Sequence, residues 1–175
     1  MFWRSDKSIL SGEDELKKGM WLGLNKNGSL AAVTNVRDFS DDEALNQPEK
    51  KESRGDLVKN FLEENISLKD YSNRITGSNY QGFNLILIKD YKLSIISSEG
   101  TELEEQSEGI FVLGNKKYNS KSEKLLSAKN DFSDVLQSQL THQGLLQLMS
   151  EPANEPFAFS NTCLLYTSDA ADEAD

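Results

Sequence analysis

His142 is the only histidine in the 175-residue chain, so any relay built on imidazole would have to run through it. It lies in a stretch rich in Gln and Leu that reads as a helix, where a partly exposed helical histidine is the simpler interpretation. Cys163 is the only cysteine; one cysteine cannot build a disulfide framework, and a cysteine-based zinc site needs more than one. Glu102, Glu104, Glu105 and Glu108 form an acidic run, read as a solvated loop over 101–108 and not as a metal site. Arg54 is a stronger candidate for binding, because a guanidinium presents a planar fork that grips carboxylate or phosphate. Asp56, or an acid of the neighbouring loop, offers it an equally good structural partner. Arg37 is a second candidate binding residue, with Asp38 as its obvious salt-bridge partner. Asn84 interrupts an apolar strand and is expected to be buried and hydrogen-bonded; Tyr80 and Phe83 are expected in the core. No metal site and no cofactor is read from the sequence.

The elements that would position these residues follow from local pattern. Trp21–Asn25 and Ser29–Thr34 are apolar runs joined by Asn25-Lys26-Asn27-Gly28, whose Asn-Gly pair suits a hairpin turn. Residues 38–52 are charged and carry Pro48, which reads as a solvated loop. Ser53 can cap a helix whose apolar face is Leu57, Val58, Phe61 and Leu62. Ser67 can cap a second helix over 68–75, broken by Gly77-Ser78-Asn79. Phe83–Ile88 and Leu93–Ile96 read as strands joined by a turn at Lys89–Lys92, the first apolar enough to be buried on both faces. Ile110–Leu113 reads as a further strand. Helices are expected near 122–129, 133–140 and 141–149. Phe157-Ala158-Phe159 looks like the start of another strand. Strands, helices, strands and helices in this order suit sheets with helices packed outside them.

Residues 163–175 resemble the translation of a transposase adapter used to build sequencing libraries. They are expected to be a non-native tail, to be set aside before reasoning about the fold. The expected division is therefore 1–162 as one partial domain and 163–175 as the adapter-derived segment. Without the tail's four acids (Asp169, Asp172, Glu173 and Asp175), the formal charge of −10 becomes −6. A mildly acidic domain argues against a nucleic-acid groove, which needs a basic patch. No apolar run is long enough for a membrane span, and the first residues lack the apolar segment of a signal peptide. A cytoplasmic location is expected.

Four islands occur in order: Ile9-Leu10-Ser11-Gly12-Glu13-Asp14; Gly19-Met20-Trp21-Leu22-Gly23 with Ala31-Ala32-Val33-Thr34-Asn35-Val36-Arg37; Ser53-Arg54-Gly55-Asp56-Leu57-Val58; and Tyr80-Gln81-Gly82-Phe83-Asn84-Leu85. Together they resemble the Asn-Arg-Asp-Glu family, also called the transport and Golgi organisation protein 2 family, over most of residues 2–118. That family resembles the N-terminal nucleophile hydrolases. The resemblance implies an α+β fold, a partial four-layer α-β-β-α sandwich. It implies hydrolysis of an amide or thioester by an N-terminal cysteine whose own α-amine serves as base.

Family members begin Met-Cys, follow with Asn-Arg-Asp-Glu and carry a Gly-Thr-Arg motif further on. None of the three stands in this chain, so the expectation is a fragment truncated at both ends and itself inactive. By the same resemblance Asn35 would donate to an oxyanion, although a strand-ending Asn suits a turn equally well. Asn115, in Leu113-Gly114-Asn115, resembles the family's Leu-Ser-Asn and would contact substrate or nucleophile. Gly114 and Lys116-Lys117-Tyr118 depart from the family pattern there, which favours a plain turn. Whether the parent is an enzyme stays open. The alternative is a non-catalytic carrier or trafficking protein for a small hydrophobic, acyl or haem-like ligand, linked to secretory and Golgi organisation.

Overall fold

The computed structural model describes residues 8–12, 14–15, 19–36, 52–64, 66–98, 100–106, 109–118, 122–139 and 141–150. They fall into two compact units, one comprising Met1–Gly109 with Asn115–Tyr118, the other Ile110–Gly114 with Asn119–Asp175. The first unit is built on six strands: β1 (Ile9–Ser11), β2 (Leu22–Asn25), β3 (Leu30–Asn35), β4 (Phe83–Lys89), β5 (Lys92–Ser97) and β6 (Gly100–Gln106). They form one sheet in sequence order, antiparallel throughout. Helices α1 (Arg54–Glu64) and α2 (Leu68–Arg74) lie between β3 and β4 in the chain. The architecture is thus mixed α and β with an antiparallel sheet.

The expected hairpin is β2–β3, with Leu24 opposite Leu30 and Gly28 in the left-handed region at φ 81°. The Asn25 carboxamide organises its loop, accepting from the backbone N–H of Asn27 and of Ser29 at 3.0 Å each. Its Nδ2 also donates to the Leu62 carbonyl at 3.1 Å. That carbonyl lies in the last turn of α1, where the helix has no partner of its own to offer. The β4–β5 turn also forms where expected, with Lys89 opposite Lys92. Its two central residues, Asp90 and Tyr91, have φ of 50° and 61°, a conformation that suits Asn and Gly better than Tyr.

Helix α1 begins as expected after Ser53, whose Oγ accepts from Gly55 N at 3.3 Å. Leu57, Val58, Phe61 and Leu62 recur every third and fourth residue, so one helix face carries them all, and all four are buried. They pack on β2, β3 and β4, in a core with Ile9, Met20, Ala31, Val33, Phe83, Leu85, Leu87 and Ile96. Each such side chain contributes roughly 1.5–3 kcal/mol on burial. Gly19 and Gly55 allow the close approach behind this packing: a Cβ on Gly19 would lie 3.0 Å from the Gly55 Cα. Ser67 caps α2 by accepting from Asp70 N at 3.1 Å, again as expected. The Tyr71 ring stacks at a tilt on Phe61, and its hydroxyl donates to the Leu57 carbonyl at 2.5 Å.

Four expectations need correction. The stretch read as an acidic loop over 101–108 contributes β6 through residue 106, pairing with β5 from Ser97↔Gly100 to Leu93↔Gln106. An edge strand is held by backbone bonds on one side and needs no apolar alternation, so charged residue types mask it. Ile110–Leu113 forms no strand: its β-favouring composition finds no ladder to join. The two helices expected at 122–129 and 133–140 are one, α3 (Glu123–Gln139). The intervening Asn130-Asp131-Phe132 contains neither Gly nor Pro and is not a breaker. Finally, β1 was not anticipated, because three residues are too few to show a period. Helix α4 (His142–Ser150) starts where expected, with Gly144 N donating to Thr141 Oγ1 at 3.0 Å. Phe157–Phe159, the adapter-like tail and the loop over 38–51 lie outside the described residues.

Candidate functional site

Asn35 is the last residue of β3 and lies opposite Phe83, the first of β4. Alternation along β3 puts its side chain on the face that carries Ala31 and Val33, the face covered by α1. The residue is 8% exposed, and its carboxamide oxygen is buried with no hydrogen-bond partner among the described residues. The hydroxyls of Ser11, Ser94 and Ser97 are in the same state, Ser97 at this same end of the sheet, opposite Asn84. A buried acceptor left unsatisfied costs about 1–3 kcal/mol, whereas the comparable Asn25 carboxamide is satisfied at both ends.

Arg54 reaches the same strand end from α1. Its Nη1 donates to the Gly82 carbonyl at 3.2 Å, and the Val36 backbone N–H donates to that same carbonyl at 2.8 Å. The guanidinium also lies over the Trp21 ring, 5.7 Å from its centroid, a cation–π contact that fixes its plane. Gly82 is required here, since a Cβ on it would lie 2.6 Å from the Val36 carbonyl oxygen. Arg54 is therefore held by the protein's own backbone and aromatic surface. One of its partners is thus a carbonyl 28 residues downstream, which neither Asp56 nor the neighbouring loop had suggested.

Around this end sit Tyr80 and Phe83, edge to face at 5.7 Å. Burial pushes the Tyr80 hydroxyl above its ordinary range, and a hydrogen bond and negative charge from Glu52 push it further. Tyr80 is accordingly neutral at physiological pH and can act only as a hydroxyl. Glu52 also accepts from Asn79 Nδ2 at 2.9 Å. Phe83 is pinned to the end of β5 by Ser98, whose N–H donates to the Phe83 carbonyl at 2.9 Å.

Asn115 approaches the sheet differently. It precedes a turn belonging to the sheet unit and held by Asn84, which alternation directs away from the α1 face. The two asparagines named from the resemblance are thus associated with the same end of β3 and β4 but with opposite faces of the sheet. Arg54 joins Asn35, while Arg37 lies outside the described residues. His142 is exposed at the start of α4. Among the described residues, no group of three or more His, Cys, Asp or Glu could hold a metal ion. No helix there is long and apolar enough to cross a membrane. Sequence reasoning missed the roles of Trp21 and Gly82, whose signal lies only in the islands Gly19–Gly23 and Tyr80–Leu85.

Comparison with known proteins agrees with the islands. The family model described as Transport and Golgi organisation 2 matches residues 1–168. A Transport and Golgi organization protein 2 homolog from Bos taurus is 37% identical over 90 residues, which is 49% of this chain and 30% of the relative. The homolog from Homo sapiens is 36% identical over 93 residues, with the same shares. A Transport and Golgi organization 2 homolog from Mus musculus is 33% identical over 90 residues. The matched region spans 30% of the length of these curated relatives. The chain belongs to the Transport and Golgi organisation 2 family.

Proposed function

We propose that the end of β3 and β4 contributes the polar shell of an acyl-transfer centre of the N-terminal nucleophile type, acting on an amide or thioester. The observation that carries this reading is the buried, unpartnered carboxamide oxygen of Asn35. A buried acceptor of this kind calls for a donor from outside the described fold, a water or a ligand; of the four such groups, Asn35 is the one the family resemblance also marks. In the proposed chemistry a cysteine thiolate adds to the carbonyl carbon and the carbonyl oxygen gains negative charge. That charge calls for a donor, so it is the Nδ2 of the Asn35 carboxamide that meets it, while the unmet oxygen accepts from an N–H of the ligand or of the nucleophile's α-amine. Asn115 lies across the sheet from Asn35, so its contact reaches the centre around the end of β3 and β4, and Arg54, anchored on the Gly82 carbonyl, acts with Arg37 on an anionic part of the ligand. None of the described residues is assigned the nucleophile's role.

A second reading rests on a separate observation. Leu10, Leu22 and Leu24 are 45%, 57% and 42% exposed and lie together on the sheet face opposite α1. An apolar sheet face of this kind suits either the second sheet of a four-layer sandwich or a hydrophobic ligand of a carrier.

The test uses as parent a member of the family that carries the residues matched here and exposes a cysteine at its N-terminus, against a panel of thioesters and amides. Asn35→Ala should lower kcat by about 10²–10³ with an unchanged circular dichroism spectrum. Absence of turnover by the parent on every substrate overturns the acyl-transfer reading. Saturable binding of haemin or an apolar dye, abolished by Leu22→Glu with Leu24→Glu, then establishes the carrier reading.

A further inference from the structure

Asn84 is the one polar residue in the run Phe83–Ile88 and is 0% exposed. A carboxamide in such a place costs stability unless both its ends are bonded. Here both are. Nδ2 donates to the Lys116 carbonyl at 2.8 Å, and Oδ1 accepts from the Tyr118 backbone N–H at 3.1 Å. The side chain thus offers one donor and one acceptor to residues i and i+2 of another segment, as the backbone of a neighbouring strand would. The partners lie 32 and 34 residues downstream, beyond β5 and β6. Residues Asn115–Tyr118 belong to the sheet unit, although the residues on either side of them do not.

We propose that Asn84 is a positioning residue. Its carboxamide clips the Asn115–Tyr118 turn to the β3–β4 end and so fixes where Asn115 stands. The inference rests on the reading of Asn115 as a substrate contact and extends it: the side chain that sets its place comes from the core of the sheet. Leu or Val would fill the same position in an apolar strand but could make neither bond.

Hydrogen exchange followed by NMR on the 1–175 chain tests the clip. In the unaltered protein the Tyr118 amide should exchange about tenfold or more below its free-peptide rate. In Asn84→Asp, the carboxylate can accept from Tyr118 N–H but faces the Lys116 carbonyl with no proton to donate. Protonation restores the donor. After correction for intrinsic exchange, protection across 115–118 in this variant should be low at neutral pH and recover as the pH falls, while the parent's stays flat. A Tyr118 amide that exchanges freely in the parent overturns the proposal, and so does pH-independent protection in Asn84→Asp. If that variant does not fold, the parent measurement alone decides. Protection of Tyr118 combined with unchanged turnover in Asn115→Ala of the whole protein leaves the clip standing and overturns the role given to Asn115.

Discussion

The two faces of the sheet carry similar residue types and meet different fates. On one face Ala31, Val33, Leu85, Leu87 and Ile96 disappear beneath α1 and its neighbours. On the other, Leu10, Leu22 and Leu24 remain open at the β1–β2 end, while near the β3–β4 end Asn84 is closed over by the 115–118 turn. The strands β1 and β2 therefore lack the apolar-in, polar-out alternation of a sheet that faces water on one side. Their composition fits a strand covered on both faces, and only one cover is present among the described residues. Polar residues differ in the same way. Both ends of the Asn25 and Asn84 carboxamides are bonded, whereas the Asn35 oxygen has no partner among the described residues, which is why Asn35 and not those two points toward a ligand.

Truncation on the two faces should separate them most sharply. Phe61→Ala empties the centre of the covered face and should cost about 3–5 kcal/mol, whereas Leu22→Ala on the open face should change stability by less than about 0.5 kcal/mol. Denaturant midpoints of the two variants give the comparison directly; equal losses would mean that the open face is covered after all.

A smaller effect comes from Tyr71 in the covered layer. Burial raises its hydroxyl above the ordinary value of 10.0, and the charges of Glu64 and Asp56 add to the rise. With the folded value raised, its contribution to stability is complete below about pH 10. It is lost as the pH climbs toward the folded value. Stability should therefore fall on the alkaline side, and Tyr71→Phe should flatten that fall while lowering the neutral-pH midpoint through the lost bond to Leu57. An identical alkaline slope in the variant would remove Tyr71 as the cause.

A gain in place of a loss is expected at the hairpin tip, which neither face constrains. Tyr91 is fully exposed and holds φ at 61°. Asp90→Asn with Tyr91→Gly should raise stability by about 1 kcal/mol, seen as a higher melting temperature.

Much of the first unit was legible in the sequence. The Asn-Gly turn, the Ser53 and Ser67 caps and the four-residue apolar face of α1 are local signals, each set by residues within one turn of one another. The adjacent errors have a common cause. β6 and Ile110–Leu113 were interchanged in kind because strand formation depends on an available edge, which a sequence window does not contain. An acidic stretch next to β5 found that edge, and an apolar one did not. Family resemblance marked Asn35, Arg54 and Asn115 as interesting, and the structure brings the first two to one strand end on one face.

What this chain determined by itself is therefore local: turn chemistry, helix caps, amphipathic spacing, and the expectation that Asn84 would be buried and bonded. Which atoms bond it lay beyond reach, because Lys116 and Tyr118 come to it only after β5 and β6 have folded back. The same holds for Arg54, whose contacts with the Gly82 carbonyl and the Trp21 ring join segments far apart in the chain. A side chain's partner is chosen by whichever group the packed chain delivers within about 3 Å, and that choice is made in three dimensions.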